Sequence, residues 1–226
     1  MTSPTTSADL APLSRQLREG TASEHEHAES GAFIRAVMDG SIPREGIVDL
    51  WAQYRYIYED LEAAGTRLKD DPIVGQFVVE ALLRCTALDT DLEALAGSDW
   101  RDYYPPTDAA LRYCERLRTL EGPTALGFIA HHYTRYLGDL AGGQAIGQAL
   151  LRRTDLGVDA LAFPTFDQIE SRPQFREQYR AWLDGADLNA DQQAAVVAEA
   201  RVVFELNAAV FDDLGSRHLA TNGTSA

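Results

Sequence analysis

The sequence predicts an all-α protein of about seven or eight helices in one domain. Apolar residues recur at spacings of three and four in several long segments, and no segment alternates polar and apolar residues over the length of a strand. The 226 residues, 45% hydrophobic and 24% charged, fit a globular chain that buries a core. Residues 1–8 and 218–226 are rich in small and polar residues and are expected to be disordered tails, which leaves residues 9–217 as the domain.

The first helices can be placed in chain order by their apolar faces and end signals. Pro43 suits the first turn of the second helix, which follows a first helix that carries residues 21–29. An apolar series from Val74 to Leu95 predicts the third helix. Two prolines within residues 103–107 separate it from a short fourth helix.

The later helices have clearer boundaries. Gly122 and Pro123 lead into a long helix that is expected to run to about Arg153. Ser171, followed two residues later by Pro173, opens the next helix. Asn189 can cap the last one, because its side chain can accept a hydrogen bond from a free backbone N–H of the first turn.

The composition excludes several classes of function. Acidic residues outnumber basic ones 35 to 20, which gives a net charge of −15 and disfavours nucleic acid and anionic membranes as partners. No apolar run approaches the ~20 residues that cross a bilayer, and the first residues do not resemble a secretory signal. The two cysteines, Cys85 and Cys114, belong to no metal-binding motif and suit a reducing cytoplasm.

The segment 133–144 contains an unusual glycine cluster inside the predicted long helix. Gly138, Gly142, Gly143 and Gly147 are expected to lie on nearly one face, at a cost of roughly 1 kcal/mol each relative to alanine. Such a face permits the close approach of another helix, or it lets a flat ligand lie against bare backbone. Asp139 lies among these glycines and would be awkward at a helix–helix contact, so the pattern favours a ligand surface.

The first helix carries a candidate metal ligand. His25 and Glu29 are four residues apart, so the carboxylate can accept a hydrogen bond from the second ring nitrogen of a metal-binding histidine. Arg18 lies two turns before His25 on the same predicted face and could bind a carboxylate. His27 is a rival ligand, but it points to another side and has no acidic residue four positions later.

Two further patterns of charged residues and histidine bear on the chemistry of the chain. Arg176 and Arg180 are one turn apart, a spacing typical of solvated surface charges that in an anionic chain can also bind carboxylates. Glu24 and His27 form the single ExxH pair, whereas a carboxylate-bridged di-iron site needs two. The sequence has no phosphate-binding glycine loop, no GxSxG and no HExxH.

Taken together, three segments resemble the haem oxygenase family over roughly residues 10–217. The segment YLGDLAGGQ, residues 136–144, is similar to the family's YLGDLSGGQ signature, with Ala141 in place of the serine. The family's proximal segment resembles HEHAE at residues 25–29, and its closing helix resembles VFELNAAVFDDL at residues 203–214. Because Ala141 need not face the haem, the substitution is not expected to abolish activity.

The resemblance implies that haem b, both cofactor and substrate, is held between the first helix and a kinked glycine-rich helix. His25 would be the axial iron ligand with Glu29 as its partner, and Asp139 would hold the water network that delivers protons. The implied distal residues are Gly138, Gly142, Gly143, Arg135 and Tyr58. The implied haem contacts elsewhere are Arg18, Tyr133, Arg176 and Arg180 at the propionates, and Phe204, Asn207 and Phe211 on the closing helix.

The implied reaction uses O2 and an external reductant to convert haem to biliverdin, carbon monoxide and Fe2+, with the alpha isomer expected. The chain has no flavin, nicotinamide or iron–sulfur motif, so electrons would come from a ferredoxin or an NAD(P)H-dependent reductase. That partner is expected to dock near Arg18 and the Arg176/Arg180 pair, and the protein is expected to be a monomer. Two alternatives remain open: a haem carrier that does not degrade haem, and a non-haem enzyme of the same fold, either thiaminase-like or a di-iron oxidase.

Overall fold

The computed structural model describes residues 11–153 and 161–219, and within these ranges it contains eleven α-helices and no strand. The all-α prediction is therefore confirmed. The helices are α1 Leu13–Gly20, α2 Ala22–Glu29, α3 Ala32–Asp39, α4 Arg44–Leu68, α5 Cys85–Ala96, α6 Trp100–Tyr103, α7 Asp108–Arg118, α8 Gly127–His132, α9 Gly138–Arg153, α10 Arg172–Gly185 and α11 Ala190–His218. None of the described helices is long and apolar enough to cross a membrane.

The two longest helices form the centre of the fold. Helix α4 packs against α5, α7, α8 and α11, and its large side chains, including Trp51 and Tyr58, are almost completely buried. Helix α11 packs against α1, α2, α3, α7 and α8. Pro43 precedes the first residue of α4, and Asn189 caps α11 by accepting a hydrogen bond from the Gln192 backbone N–H at 3.0 Å. Both predicted starts are thus confirmed.

The first predicted helix is broken into two. Helix α1 ends and α2 begins at Thr21, whose backbone is not helical (φ −118°, ψ 11°) and whose hydroxyl donates to the Leu17 carbonyl oxygen. Arg18 and His25 therefore lie on different helices, and the prediction that they share one continuous helical face is wrong. Breaks of this kind explain why the described residues form eleven helices where seven or eight were expected.

The third predicted helix is shorter than its apolar pattern. Only Cys85–Ala96 is α-helical, and the preceding residues form two 3-10 turns, Gly75–Phe77 and Glu80–Leu82. Val78 and Val79 between the turns are extended, as suits β-branched residues. Helix α5 starts where the Glu62 carboxylate accepts hydrogen bonds from the backbone N–H groups of residues 84 and 85.

The long glycine-containing helix is kinked. It starts with a 3-10 turn at Gly122–Thr124 and continues as α8, a π-helical turn at Tyr133–Leu137, and then α9. A π turn inside an α-helix is frequent at functional sites because it changes the direction of the side chains that follow. The predicted continuity to Arg153 is confirmed.

The ends of the chain were expected to be tails. Residues 1–8 and 220–226 lie outside the described residues. His218, which was assigned to the C-terminal tail, instead ends α11, and its Nε2 lies 2.8 Å from the Asp49 carboxylate. The helical domain therefore extends beyond the expected boundary at residue 217.

Candidate active site

A cleft of about 530 Å3 lies between two walls of the helical domain. One wall, here called the His25 wall, consists of α2 and α3. The other, the glycine wall, consists of the π turn and the first part of α9. Helix α11 closes one side through Phe204, Asn207 and Phe211. A cleft of this size can bury most of a small organic ligand.

The His25 wall presents an imidazole to the cleft. The His25 side chain is 54% exposed, and its Nδ1 lies 3.4 Å from a Glu29 carboxylate oxygen. Its ring packs edge-on against Phe204, with 5.5 Å between the ring centroids. Because Nδ1 faces Glu29, Nε2 is the nitrogen that remains for a metal. His27 does not line the cleft.

The glycines of the opposite wall face two directions. A Cβ atom built on Gly138 or Gly142 would meet no atom within 4 Å, and both residues line the cleft. A Cβ on Gly147 would lie 3.3 Å from Pro164, and one on Gly143 would lie 3.8 Å from it. The expectation that all four glycines share nearly one face is therefore wrong. Gly138 and Gly142 leave room in the cleft, Gly143 both lines the cleft and lies near Pro164, and Gly147 permits close packing against Pro164.

A polar network connects the glycine wall to α4 and α11, and Arg135 and Asp139 of this network line the cleft. The Tyr58 hydroxyl, which comes from α4, donates a hydrogen bond to Asp139. Arg135 donates to the Asn207 side-chain oxygen at 3.0 Å, and its Nη2 lies 3.8 Å from the Asp139 carboxylate. Burial raises the pKa of Asp139, although the Arg135 charge and the Tyr58 hydrogen bond act in the opposite direction. The carboxyl group is thus suited to hold or release a proton.

Several donors of this network have no partner in the described residues. The buried Nε and Nη2 atoms of Arg135 and the hydroxyl of Thr134 make no hydrogen bond there. Both residues line the cleft. Since buried polar groups rarely stay unsatisfied, these donors fit a ligand or ordered water in the cleft.

The structure also identifies lining residues that the sequence did not single out. These include Ile34 and Met38 of α3, Tyr54 of α4, and Ile146 of α9. The four-residue spacing of Ile34 and Met38 could have been read as one helix face, and Met38 is 42% exposed despite being apolar. Ala141 lines the cleft as well, so the position that replaces the signature serine does face it.

The predicted anion-binding residues do not line the cleft itself. Burial raises the pKa of the Tyr133 phenol, and the positive charges of Arg180 and Arg18 partly offset this rise. The charge of Arg176 acts on that of Arg172, and the buried Nε of Arg176 has no hydrogen-bond partner in the described residues. Arg18 and Arg180 are therefore both near enough to Tyr133 to influence its phenol. Arg176 lies one turn before Arg180 on α10.

Neither cysteine belongs to the site. Cys85 and Cys114 do not line the cleft. Burial raises the pKa of Cys85, and it raises the pKa of Cys114 to about 12. Both thiols therefore stay protonated and are poor nucleophiles near neutral pH.

Comparison with known proteins gives a consistent result. The family model described as "Heme oxygenase" matches residues 11–213. A protein named heme oxygenase from Rhodella violacea is 31% identical over 92% of this chain and 88% of its own. Heme oxygenase 1 from Homo sapiens is 34% identical over 94% of this chain and 74% of its own.

Solved structures are similar as well. Heme oxygenase-1 from the cyanobacterium Synechocystis, solved in complex with heme, has a TM-score of 0.87 and 29% identity, covering 92% of this chain and 94% of that one. Heme oxygenase from Leptospira interrogans has a TM-score of 0.85 and 32% identity, covering 89% of this chain and 98% of that one.

Proposed function

The chain belongs to the haem oxygenase family, and we propose which of its residues bind haem and assist its cleavage. The protein is an enzyme that cleaves haem oxidatively to biliverdin, carbon monoxide and Fe2+. Bound haem supplies the iron that reacts with dioxygen, and it is also the substrate whose ring is opened. One observation supports the assignment of residues: an imidazole and a stretch of glycine backbone with open space beside it line the same cleft.

His25 is the proposed metal ligand and Glu29 its partner. Glu29 is 3.4 Å from Nδ1, so it can hold the ring in the tautomer that leaves Nε2 for the iron. The contact with Phe204 restricts the rotation of the same ring. Since Glu29 is largely exposed, its charge is screened by solvent, and its contribution is orientation more than electron donation.

Gly138 and Gly142 are proposed to let the haem plane lie against the main chain. A side chain at either position would project into the cleft, because its Cβ would meet no protein atom. Phe204 and Phe211 would cover the apolar part of the ring. Gly143 also lines the cleft and keeps its proposed role beside the ring, since a Cβ there would make only an ordinary contact with Pro164 at 3.8 Å.

Asp139 is proposed to hold the proton that the reaction consumes. Tyr58 donates to its carboxylate, and Arg135, itself bound to Asn207, lies beside it. Asp139, Arg135 and Thr134 all line the cleft, and the unpartnered donors of the last two can bind water there beside the carboxylate. A proton would therefore reach the cleft through water, with Asp139 acting as its reversible store.

The haem propionates are proposed to lie near Arg18, Tyr133, Arg176 and Arg180. Arginine suits this task because its planar group can donate two parallel hydrogen bonds to one carboxylate. A ferredoxin or an NAD(P)H-dependent reductase is proposed as the electron donor, docking near the same arginines. We also propose a monomer located in the cytoplasm, where the two unpaired cysteines would remain reduced.

The alternative functions are not favoured. A thiaminase-like hydrolase needs a nucleophilic thiol in the cleft, but the half-buried Cys85 and the buried Cys114 both lie outside it and have raised pKa values. A di-iron oxidase needs a cluster of carboxylates and histidines, and the described residues contain no group of three or more potential metal ligands. A carrier would have no evident use for the Asp139 network.

Aerobic turnover tests the function. The purified protein is loaded with haem, reduced in air with ascorbate, and followed by absorbance and product chromatography. We expect the Soret band to disappear as biliverdin and carbon monoxide form in equal amounts. A complex that keeps its Soret band through repeated additions of reductant would instead identify a carrier.

A further inference from the structure

The glycine wall rests on a loop that lies outside the cleft. Residues 161–166, here called the supporting loop, contain Pro164, which contacts the positions where Gly143 and Gly147 lack a side chain. A Cβ on Gly147 would lie 3.3 Å from Cγ and 3.4 Å from Cβ of Pro164. The loop therefore contacts α9 on a different face from Gly138 and Gly142, which border the cleft.

The supporting loop is held by a buried carboxylate. Asp91 of α5 is fully buried, and its two oxygens accept the backbone N–H groups of Ala162 and Phe163 at 2.6 and 2.8 Å. These two bonds fix the backbone immediately before Pro164. Burial raises the pKa of Asp91 to about 6, while the two backbone hydrogen bonds act in the opposite direction.

Two arginines hold the carbonyl groups of the same loop. Arg84, which is almost fully buried, donates to the carbonyl oxygen of Thr165 at 2.9 Å, and Arg172 donates to that of Pro164 at 3.0 Å. The guanidinium carbon of Arg84 lies 4.0 Å from the centre of the Phe166 ring. Both N–H and carbonyl groups of the loop backbone are therefore hydrogen-bonded to side chains, which resists movement of the loop away from α9.

The supporting loop also contacts the polar network of Tyr58, Arg135 and Asp139 through the ring of Phe163. The ring of Phe163 packs against Trp51, Tyr54 and Tyr58, with centroid separations of 5.0, 5.6 and 5.8 Å. Tyr58 is the residue that donates to Asp139. The loop therefore contacts both the glycine wall and the residue that orients its carboxylate.

We infer that the supporting loop sets the width of the cleft, with Pro164 and Asp91 as positioning residues for haem. The inference rests on the proposed haem site. Asp91, Arg84 and Arg172 all hold the loop in place. A steric clash between α9 and Pro164 would therefore move α9 toward the cleft instead of moving the loop outward. The absence of a side chain at Gly147 allows the present spacing, and Asp91 maintains it.

A double-mutant cycle with zinc protoporphyrin IX tests this coupling. The probe binds as a flat metalloporphyrin, is not turned over, and reports binding by its fluorescence. Wild type, Gly147→Ala, Pro164→Ala and the double variant are compared. We expect Gly147→Ala to weaken binding about tenfold or more, which is about 1.4 kcal/mol. The double variant, which lacks the Cγ atom at the 3.3 Å contact, should bind within about threefold of Pro164→Ala.

Product analysis provides a second measurement of cleft width. A narrower cleft should also change the proportions of the biliverdin isomers in Gly147→Ala, and the double variant should restore the wild-type proportions. Strictly additive effects on probe binding, or an unchanged affinity in Gly147→Ala, would overturn the inference. If wild type itself fails to bind the probe, the proposed haem site is wrong, which is a different result.

A third variant keeps the test decisive if Gly147→Ala does not fold. Asp91→Asn retains the size of the side chain but replaces one acceptor by an NH2 group facing a backbone N–H. Glu93→Gln, which removes one charge from an exposed position of the same helix, is the matched control. At pH 8 we expect faster amide exchange in α9 and several-fold weaker probe binding in Asp91→Asn only. Equal behaviour of the two variants would contradict the role of Asp91.

Discussion

The His25 wall of the cleft is short and exposed, whereas the glycine wall is continuous with a buried network. His25 and Glu29 form one local contact within an eight-residue helix, and both side chains are more than half exposed. Tyr58 lies 81 residues from Asp139 in the chain, whereas Arg135 and Asp139 are four residues apart. The Tyr58 and Arg135 side chains are buried, and that of Asp139 is only 13% exposed. The His25 wall can therefore supply a metal ligand that adjusts its position to haem. The glycine wall holds the proton-carrying carboxyl group of Asp139 in a defined position.

The largest expected effect comes from removing the imidazole. His25→Ala should lose the absorption spectrum of histidine-ligated haem and fall below about 1% of wild-type biliverdin formation, a loss of about 2.7 kcal/mol in transition-state stabilisation. Added imidazole should restore the spectrum, because the cavity left by the side chain opens to the cleft. His27→Ala, two residues away, is the control and should behave as wild type. An unchanged spectrum in His25→Ala would remove this residue from its role.

The next effect concerns the proton store of the glycine wall. Asp139→Asn keeps the shape and can still accept from Tyr58, but it cannot hold the exchangeable proton. Biliverdin formation should fall about 100-fold, the usual scale of general acid–base catalysis, with haem affinity changed less than about threefold. Tyr58→Phe, which removes only the donor, should cost less. Wild-type turnover by Asp139→Asn would show that protons take another route.

A smaller effect is expected at the partner of the metal ligand. Glu29→Gln retains a hydrogen-bond acceptor for Nδ1 but removes the charge. Because the carboxylate is exposed and screened, haem affinity should fall less than about tenfold, at the low end for such partners. The reduction potential of the bound haem should rise slightly, since a neutral acceptor makes the imidazole a weaker donor. A 100-fold loss of affinity would mean that the His25 wall is as rigid as the glycine wall.

The smallest effect on haem binding is expected for a change at the contact between α8 and α11. The same change should have the clearest effect on the pH dependence of protein stability. Burial opposes the ionisation of Glu199, but hydrogen bonds from Arg116 and His131 bring its pKa from 4.5 to about 2. Its contribution to stability is therefore present above pH 4.5 and is lost as the pH falls toward 2. Glu199→Gln should reduce the acid dependence of unfolding in this window without changing haem affinity. An unchanged acid dependence would contradict the assignment.

The sequence predicted the parts of the molecule that depend on local spacing. The starts of α4, α10 and α11, the His25–Glu29 pair and the glycine segment follow from caps, prolines and residue intervals. The break at Thr21 was not predicted, although Gly20 and the capping-box spacing of Thr21 and Glu24 are typical of one helix ending and another starting. The apolar series before Cys85 was read as helix because two 3-10 turns bury the same side chains.

The tertiary part of the site could not be obtained from residue intervals. Resemblance to a family suggested the site residues, but the contact of Tyr58 with Asp139 spans 81 residues of chain and that of Arg135 with Asn207 spans 72. The division of the glycines between the cleft and Pro164 depends on a loop that no local pattern connects to them. The support from Asp91 is equally non-local, since its partners lie 71 and 72 residues away.

A crystal structure of the haem complex tests the central claim most directly. We expect the ring to lie in the cleft with the Nε2 atom of His25 on one face of the iron, and with Gly138 and Gly142 against the other. Asp139 should lie near the second face, separated from it by ordered water. An iron held by another residue, or a ring bound outside the space between α2 and α9, would contradict the account.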